Sequence, residues 1–390
     1  MVSPCYVHSR ASLQSLLNAL TDAEQIGLDT EFVGEGLYEP QLCLIQLSTA
    51  GGIWIVDPLA VGDLSALWEI LTAPERELIV FAAREEMRFC LRYAGRLPGR
   101  VLDAQIAAGL VGFGYPLSHT NLVRKALNVE LKGSETFTDW RKRPLSNSQI
   151  EYAADDVRHL LTLRELLYER AQKLDRESWL ALESHRYADR VAAEELEERW
   201  WKLPGVTNLR RRELGVLRAL WRWRDDTARA DNAPPRRVLR DELLVEIAKR
   251  KPQTPADLFA LRGMERNAIR NAGPEIVQAV QAALKLPDSE LPASLRKDDL
   301  PQLSALSQLL SVVATGLAAE HQVDPQLLAT ASDLQDLVRW RLGLPDAPPE
   351  PAILQGWRGA ILGEPLLALL DGKRRIHVAD LRQANPFRLE

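Results

Sequence analysis

Cysteine is scarce in this 390-residue chain, which contains only Cys5, Cys43 and Cys90. Their positions lack metal-ligand spacing, so cysteine-bound metal is excluded, and the pattern suits buried thiols in a reducing compartment. Long apolar runs are also missing, and none approaches the ~18–20 uninterrupted apolar residues of a membrane span. The stretch Met1-Val2-Ser3-Pro4-Cys5 has no basic segment leading into an apolar one, which argues against a secretory signal. The expectation is a cytoplasmic protein with no membrane association and no evident protein partner. The six histidines form no triad or zinc-type pattern, which removes those two chemistries.

What is present is ordinary for a globular protein, with 46 % apolar and 26 % charged residues. The length exceeds what one compact core normally serves, so two or three domains are expected. The net charge of −5 is unevenly spread. Between Lys202 and Arg270 there are 17 Lys and Arg against 9 Asp and Glu, so the flanking segments are acidic. A basic helical stretch beside a carboxylate-rich part resembles a binding module attached to a catalytic one. A basic solvated face with no partner is the plainer alternative.

Periodicity divides the chain. Leu13, Leu16, Leu17 and Leu20 share one helical face, and strand patterns follow at 25–32, 42–48 and 53–56. Ser48-Thr49-Ala50-Gly51-Gly52 reads as a hairpin turn, which makes the last two strands antiparallel. Alternating helix and strand patterns continue to Leu102, so the sheet is expected to be mixed α/β. Beyond Asp103 nearly everything reads as helix. Ser146 and Gln149 form a capping-box pattern opening a helix expected to run from Ser148 to about Glu169. A long charged helix then leads to the break at Lys202-Leu203-Pro204-Gly205. The expected domains are 1–203, then helical units at 210–286 and 297–390.

Chemistry concentrates in two places. In Leu28-Asp29-Thr30-Glu31-Phe32, strand alternation puts Asp29 and Glu31 on one side, with Ile26, Leu28 and Thr30 on the other. Adjacent carboxylates repel and lose solvation, and divalent cations compensate them in a way that serves phosphoryl chemistry. On the capped helix, Tyr152 and Asp156 lie four residues apart and share a face, whereas Asp155 is rotated away. A Tyr and a carboxylate converging on a strand-borne carboxylate pair would form a two-metal site for Mg²⁺ or Mn²⁺. Taken singly, an exposed strand end and a helix-surface pair are the commoner explanations of these motifs.

Together these stretches resemble the ribonuclease D family of the DEDD exonuclease superfamily, in the variety whose third motif is Tyr-x-x-x-Asp. Asp29 and Glu31 match the first motif, and Tyr152 and Asp156 match the third. Lys132-Gly133-Ser134-Glu135-Thr136-Phe137-Thr138-Asp139-Trp140 resembles the segment before the third motif. Leu217 to Asp225 and Pro234 to Leu239 look like the start of an HRDC domain, and the unit with Gly356-Trp357-Arg358 looks like a second, divergent copy. The resemblance spans essentially the whole chain. It implies a ribonuclease H-like mixed-sheet exonuclease domain followed by two all-α HRDC-like domains. The implied activity is metal-dependent 3′→5′ exoribonuclease action on RNA with a free 3′ end, such as tRNA precursors, releasing nucleoside 5′-monophosphates. Asp29, Glu31, Glu86 and Asp156 would hold two divalent cations, with Tyr152 orienting water.

One departure stands out. The family's second motif reads His-Ala-x-x-Glu-Asp, whereas here Phe81-Ala82-Ala83-Arg84-Glu85-Glu86 puts Phe81 for the His and Glu86 for the Asp. The extra methylene extends the carboxylate by roughly 1.5 Å, against metal–oxygen tolerances of ~0.2 Å. Asp103 could compensate, or cap a helix. The departure leaves two other readings open: an RNA-binding protein that has lost catalysis, and a DNA 3′→5′ exonuclease. Candidate nucleic-acid contacts are Phe32, Arg141 and Arg143, with Arg222, Arg236 and Arg237 in the first HRDC-like unit. His159, one turn beyond Asp156, is a candidate neighbour of the site.

Overall fold

Alternation along the first catalytic segment sets the architecture, because Ile26, Leu28 and Thr30 are all buried and leave Asp29 and Glu31 on the opposite side of their strand. The computed structural model describes residues 3–131, 138–264, 266–295, 300–383 and 385–390. Residues 132–137 of the segment before the third motif lie outside those described. The chain opens with β1 (Cys5–Val7), α1 (Arg10–Leu20), β2 (Gln25–Val33), β3 (Gln41–Thr49) and β4 (Gly52–Val56). Then come α2 (Pro58–Val61), α3 (Ser65–Leu71), β5 (Glu77–Val80), α4 (Arg84–Ala94), β6 (Arg100–Asp103), α5 (Ala104–Leu110) and α6 (His119–Leu127).

These strands form one mixed sheet in the order β1-β4-β3-β2-β5-β6. The β3–β4 pair is antiparallel, as the Gly51-Gly52 turn dictates, whereas β1 with β4, β2 with β5 and β5 with β6 are parallel. Parallel running brings the ends of β2, β5 and β6 to one edge. The register Gly27↔Ile79 puts Asp29 just beyond Val80, the last residue of β5. The strand itself continues to Val33, further than its apolar pattern indicates. The carboxylates therefore overhang a shorter neighbour instead of ending their own strand.

Next come α7 (Asn147–Arg158), α8 (Leu160–Lys173) and α9 (Glu177–Leu196). The single helix expected from Ser148 is broken at His159. The Ser48 hydroxyl donates to the Val157 carbonyl at 2.8 Å, satisfying an acceptor that the end of a helix leaves open. At the other end the capping box of Ser146 and Gln149 forms as its pattern indicates. Gly27 lets these helices approach the sheet. A Cβ there would stand 2.3 Å from Ser48 Oγ and 3.2 Å from Leu160 Cβ. Gly27→Ala is therefore expected to cost about 1–3 kcal/mol and to shift α7. Denaturant unfolding and 3′-trimming assays should both register the loss.

The chain folds as two compact units. Met1–Glu31, Leu42–Glu195 and Leu300–Glu390 make one, and Phe32–Gln41 with Leu196–Asp299 make the other. In the first unit the C-terminal stretch comprises α14 (Pro301–Glu320), α15 (Pro325–Leu328), α16 (Ala331–Arg341), α17 (Gly356–Arg358) and α18 (Glu364–Leu370). It is joined to α9 by a buried ion pair, with Arg358 donating to Glu183 at 2.5 and 2.7 Å and the Trp357 indole adding 2.8 Å. The stretch ends in an antiparallel pair, Ile376–Val378 with Phe387–Leu389, that helical periodicity does not show. Among the described residues, α14 is long and apolar enough to cross a membrane by length and composition. Leu303, Leu310, Val313, Ala314 and Ala318 of that helix are buried within the protein.

The second unit is built on α10 (Arg211–Ala230), α11 (Pro235–Val238), α12 (Asp241–Arg250) and α13 (Arg266–Leu284). Leu214, Leu217, Leu220, Leu244, Ile247, Leu258 and Ile276 form its core. Trp221 and Trp223 are partly buried against that core. Buried Arg224 pairs with Asp241 at 2.7 Å, and Tyr38 donates to Asp225 at 2.9 Å.

Candidate active site

Strand β2 and helix α7 bring their carboxylates together. Asp29, Glu31 and Asp156 each offer an oxygen within 4.8 Å of the others. The helix is held in place from both ends. Behind it, Ser48 and Gly27 fix its C-terminal turn, as described. In front, Arg143 locks the chain entering it, donating to Asp57 at 2.5 and 2.8 Å and to the Cys43 carbonyl at 2.9 Å. The Tyr6 hydroxyl donates to the same Asp57 carboxylate at 2.5 Å. Burial pushes Asp57 up, but the bonds from Arg143 and Tyr6 outweigh it and hold the carboxyl below its ordinary value.

Arg143 is thus committed to the fold, which corrects its reading as a phosphate contact. Its guanidinium fork is filled by a buried carboxylate and backbone carbonyls. The other expected contacts vary in availability. Arg141 pairs with Asp139 at 2.9 Å, Arg222 pairs with Glu198, and Arg236 pairs with Asp241 at 2.8 Å. Arg237 is exposed and makes no ion pair among the described residues. Phe32 is half-buried beside Glu31.

The electrostatics follow from crowding. Burial, then Asp156, Glu86 and Glu31, hold Asp29 well above the ordinary carboxylate range. Burial, then Asp156 and Glu86, push Glu31 to about 8. Burial and then Asp155 raise Asp156 to about 7. Asp155 itself turns away and pairs with Arg158 at 2.7 Å, as its helical position requires.

Glu86 is near but distinct. It is buried on the first turn of α4, where its Oε1 accepts from the Thr30 hydroxyl at 2.7 Å. Burial raises it to about 7, with the Thr30 bond acting in the opposite direction. It does not join the group in which Asp29, Glu31 and Asp156 converge. Its longer side chain instead reaches the residue between the two strand carboxylates. Asp103 caps α5 and clamps the turn before α4, accepting from the backbone N–H of Ala82, Ala83 and Gln105 at 3.1, 3.0 and 2.9 Å. With its oxygens so engaged it serves as a cap and is not a substitute ligand.

Tyr152 lies on α7 with its ring 6.2 Å from that of buried Trp140. A histidine that no motif marked, His119 on α6, approaches the carboxylates. His119 Nδ1 is 4.0 Å from Asp156, and its ring meets Phe81 edge-on at 5.3 Å. Burial lowers it to about 4, and its Nε2 is buried without a hydrogen-bond partner. No spacing rule links positions 119 and 156, so only folding could reveal this neighbour.

The donor set can be tested against a divalent cation by its chemistry alone. Three crowded carboxylates, each pushed towards protonation by burial and by neighbouring acids, offer hard oxygen donors and gain most from a positive charge. That fits Mg²⁺ or Mn²⁺ and does not fit a soft thiolate-seeking metal.

Known proteins resemble this chain over nearly its whole length. A family profile described as 3′-5′ exonuclease matches residues 4–172, and an HRDC domain profile matches residues 213–280. The chain is 37 % identical to ribonuclease D of Gluconacetobacter diazotrophicus, over 97 % of this chain and 96 % of that one. It is 34 % identical to ribonuclease D of Granulibacter bethesdensis, over 95 % and 93 % respectively. The crystal structure of Escherichia coli RNase D, an exoribonuclease involved in structured RNA processing, superposes with a TM-score of 0.82. That match has 30 % identity and covers 94 % of this chain and 98 % of the other. Neither a non-catalytic scaffold nor a DNA exonuclease is favoured by such relatives. Carboxylate geometry, exonuclease sheet, HRDC region and full-length kinship agree, and the chain belongs to the ribonuclease D family of 3′→5′ exoribonucleases.

Proposed function

We propose that this exoribonuclease hydrolyses RNA from a free 3′ end at a site where Asp29, Glu31 and Asp156 hold two divalent cations, with Glu86 as a fourth carboxylate acting from beside them. The observation that carries this reading is the convergence of Asp29, Glu31 and Asp156 within 4.8 Å. When bound, Mg²⁺ or Mn²⁺ supplies charge compensation and stabilises the attacking and leaving oxygens. The Tyr152 phenol orients the attacking water, and the elements that fix α7 keep that phenol and Asp156 in register with β2. Glu86 acts from beside the trio and restrains Thr30. The products are nucleoside 5′-monophosphates. The substrates are RNAs with accessible 3′ tails, tRNA precursors among them, met in the cytoplasm without membrane association. The exonuclease domain is 1–203, followed by a first HRDC-like unit at 210–286 and a divergent second one at 297–390, and the exposed arginines of the first HRDC-like unit, Arg237 foremost, contact the RNA body.

The experiment compares 5′-labelled RNA and DNA of matched sequence, with Mg²⁺ or Mn²⁺, using the wild type and Glu86→Gln. Stepwise shortening of the RNA with 5′-monophosphate products is expected, slowed about 10–100-fold by Glu86→Gln, as for loss of a supporting group at a metal site. Products ending in a 3′-phosphate or cyclic phosphate would overturn the hydrolytic assignment. Glu86→Gln at wild-type rate would remove Glu86 from the site.

A further inference from the structure

A cavity of about 400 Å³ lies between α9 and the C-terminal stretch of the first unit, lined in part by Ile106, Tyr115, Arg186, Tyr187, Arg190 and Arg358. Its acidic groups are already committed. Glu183 is taken by Arg358 and the Trp357 indole, with Arg186 at 3.4 Å. Asp333 accepts the backbone N–H and the hydroxyl of Thr330 at 2.8 and 2.7 Å. Arg190 is different. Its guanidinium lies 5.0 Å from the Tyr187 ring centroid, and it makes no ion pair among the described residues. An exposed, uncompensated guanidinium backed by an aromatic face suits a phosphodiester, with planar bidentate donors for the phosphate. Half-buried Tyr115 also lines the cavity and supplies an aromatic side chain of the kind on which a base of any identity stacks. The volume falls at the small end of ligand pockets, ~300–1,000 Å³, which suits about one nucleotide.

The cavity is connected to the active site through the chain. Ile106 and Tyr115 follow Asp103, the last residue of β6, on the sheet edge where Asp29 and Glu31 overhang. His119, four residues after Tyr115, reaches to 4.0 Å from Asp156. Four residues span at most about 14 Å, so the cavity lies within a few stacked nucleotides, at ~3.4 Å each, of that histidine. We propose that this cavity is an upstream subsite, holding one nucleotide of the RNA a few positions 5′ of the bond being cut. The proposal rests on the 3′→5′ exoribonuclease reading of the carboxylate site and names where the body of its substrate is gripped.

The test uses the full chain, a dinucleotide and an unstructured decanucleotide, with Arg190→Gln and Arg190→Lys. Arg190→Gln should raise the ratio of decanucleotide KM to dinucleotide KM about 5–10-fold with little change in kcat. It should also flatten the dependence of decanucleotide binding on log salt by about 0.7, the loss of one phosphate contact to a single strand. Arg190→Lys, which keeps the charge, should recover most of that slope. Fluorescence anisotropy of the decanucleotide without added metal reads the subsite separately from catalysis, so failure of the metal mechanism would not mimic failure of the subsite. A KM increase equal for both lengths, an unchanged salt slope, or lysine as defective as glutamine would overturn the proposal. So would calorimetry showing that free adenosine 5′-monophosphate binds through Arg190 while decanucleotide binding is unaffected.

Discussion

Replacing Asp156 with asparagine is expected to abolish 3′ trimming while making the metal-free protein more stable. The two effects have one cause. Asp156 raises the proton affinity of both Asp29 and Glu31, and is itself raised to about 7. Removing its charge relieves repulsion in a buried cluster and leaves a side chain of nearly the same shape. The melting temperature in excess EDTA should rise by about 2–4 °C per kcal/mol relieved. Activity should fall by on the order of 10³ or more, beyond the ~10–100-fold typical of losing a supporting partner around a metal. Strain at a functional site is commonly retained in this way, at the expense of stability. Asp29→Asn should behave alike. A variant that trims normally, or that is inactive because it is unfolded by circular dichroism, would contradict this account.

Metal withdrawal should have the second large effect, and its pH dependence has a definite sign. Glu31 rises from 4.5 to about 8, Glu86 from 4.5 to about 7 and Asp156 from 3.8 to about 7. Between about pH 5 and 8 the folded, metal-free protein therefore binds more protons than the unfolded chain, and stability declines as pH rises. The contribution is fully present below the unfolded values and is lost as pH passes through the folded ones. In EDTA the melting temperature should thus fall steadily from pH 5 to pH 8. Added Mg²⁺ should reverse most of that fall at pH 8 and little of it at pH 5, because bound metal displaces those protons. Trimming should be absent throughout in EDTA. A flat or rising melting curve without metal, or undiminished trimming in EDTA, would count against the cluster as a cation site.

The sequence by itself determined what is local or strictly periodic. Alternation along Ile26 to Glu31 placed Asp29 and Glu31 on one side, and helical spacing paired Tyr152 with Asp156 while turning Asp155 away. The Ser146 capping box and the Gly51-Gly52 turn were legible for the same reason: a few adjacent backbone dihedrals fix the outcome. Whatever depended on residues distant in the chain was decided only by the tertiary structure. The helix expected to continue past His159 breaks there, where Ser48 of β3 donates to the Val157 carbonyl. Arg143 looked like part of a basic loop until folding placed Asp57 and the Cys43 carbonyl against its guanidinium. Glu86, doubtful for its length alone, has its carboxylate held by Thr30 beside the trio. His119 became visible only when α6 brought it within 4.0 Å of Asp156. Local geometry is written in spacing. The partner of a buried charge is chosen by which surfaces the hydrophobic core brings together, and no spacing rule encodes that choice.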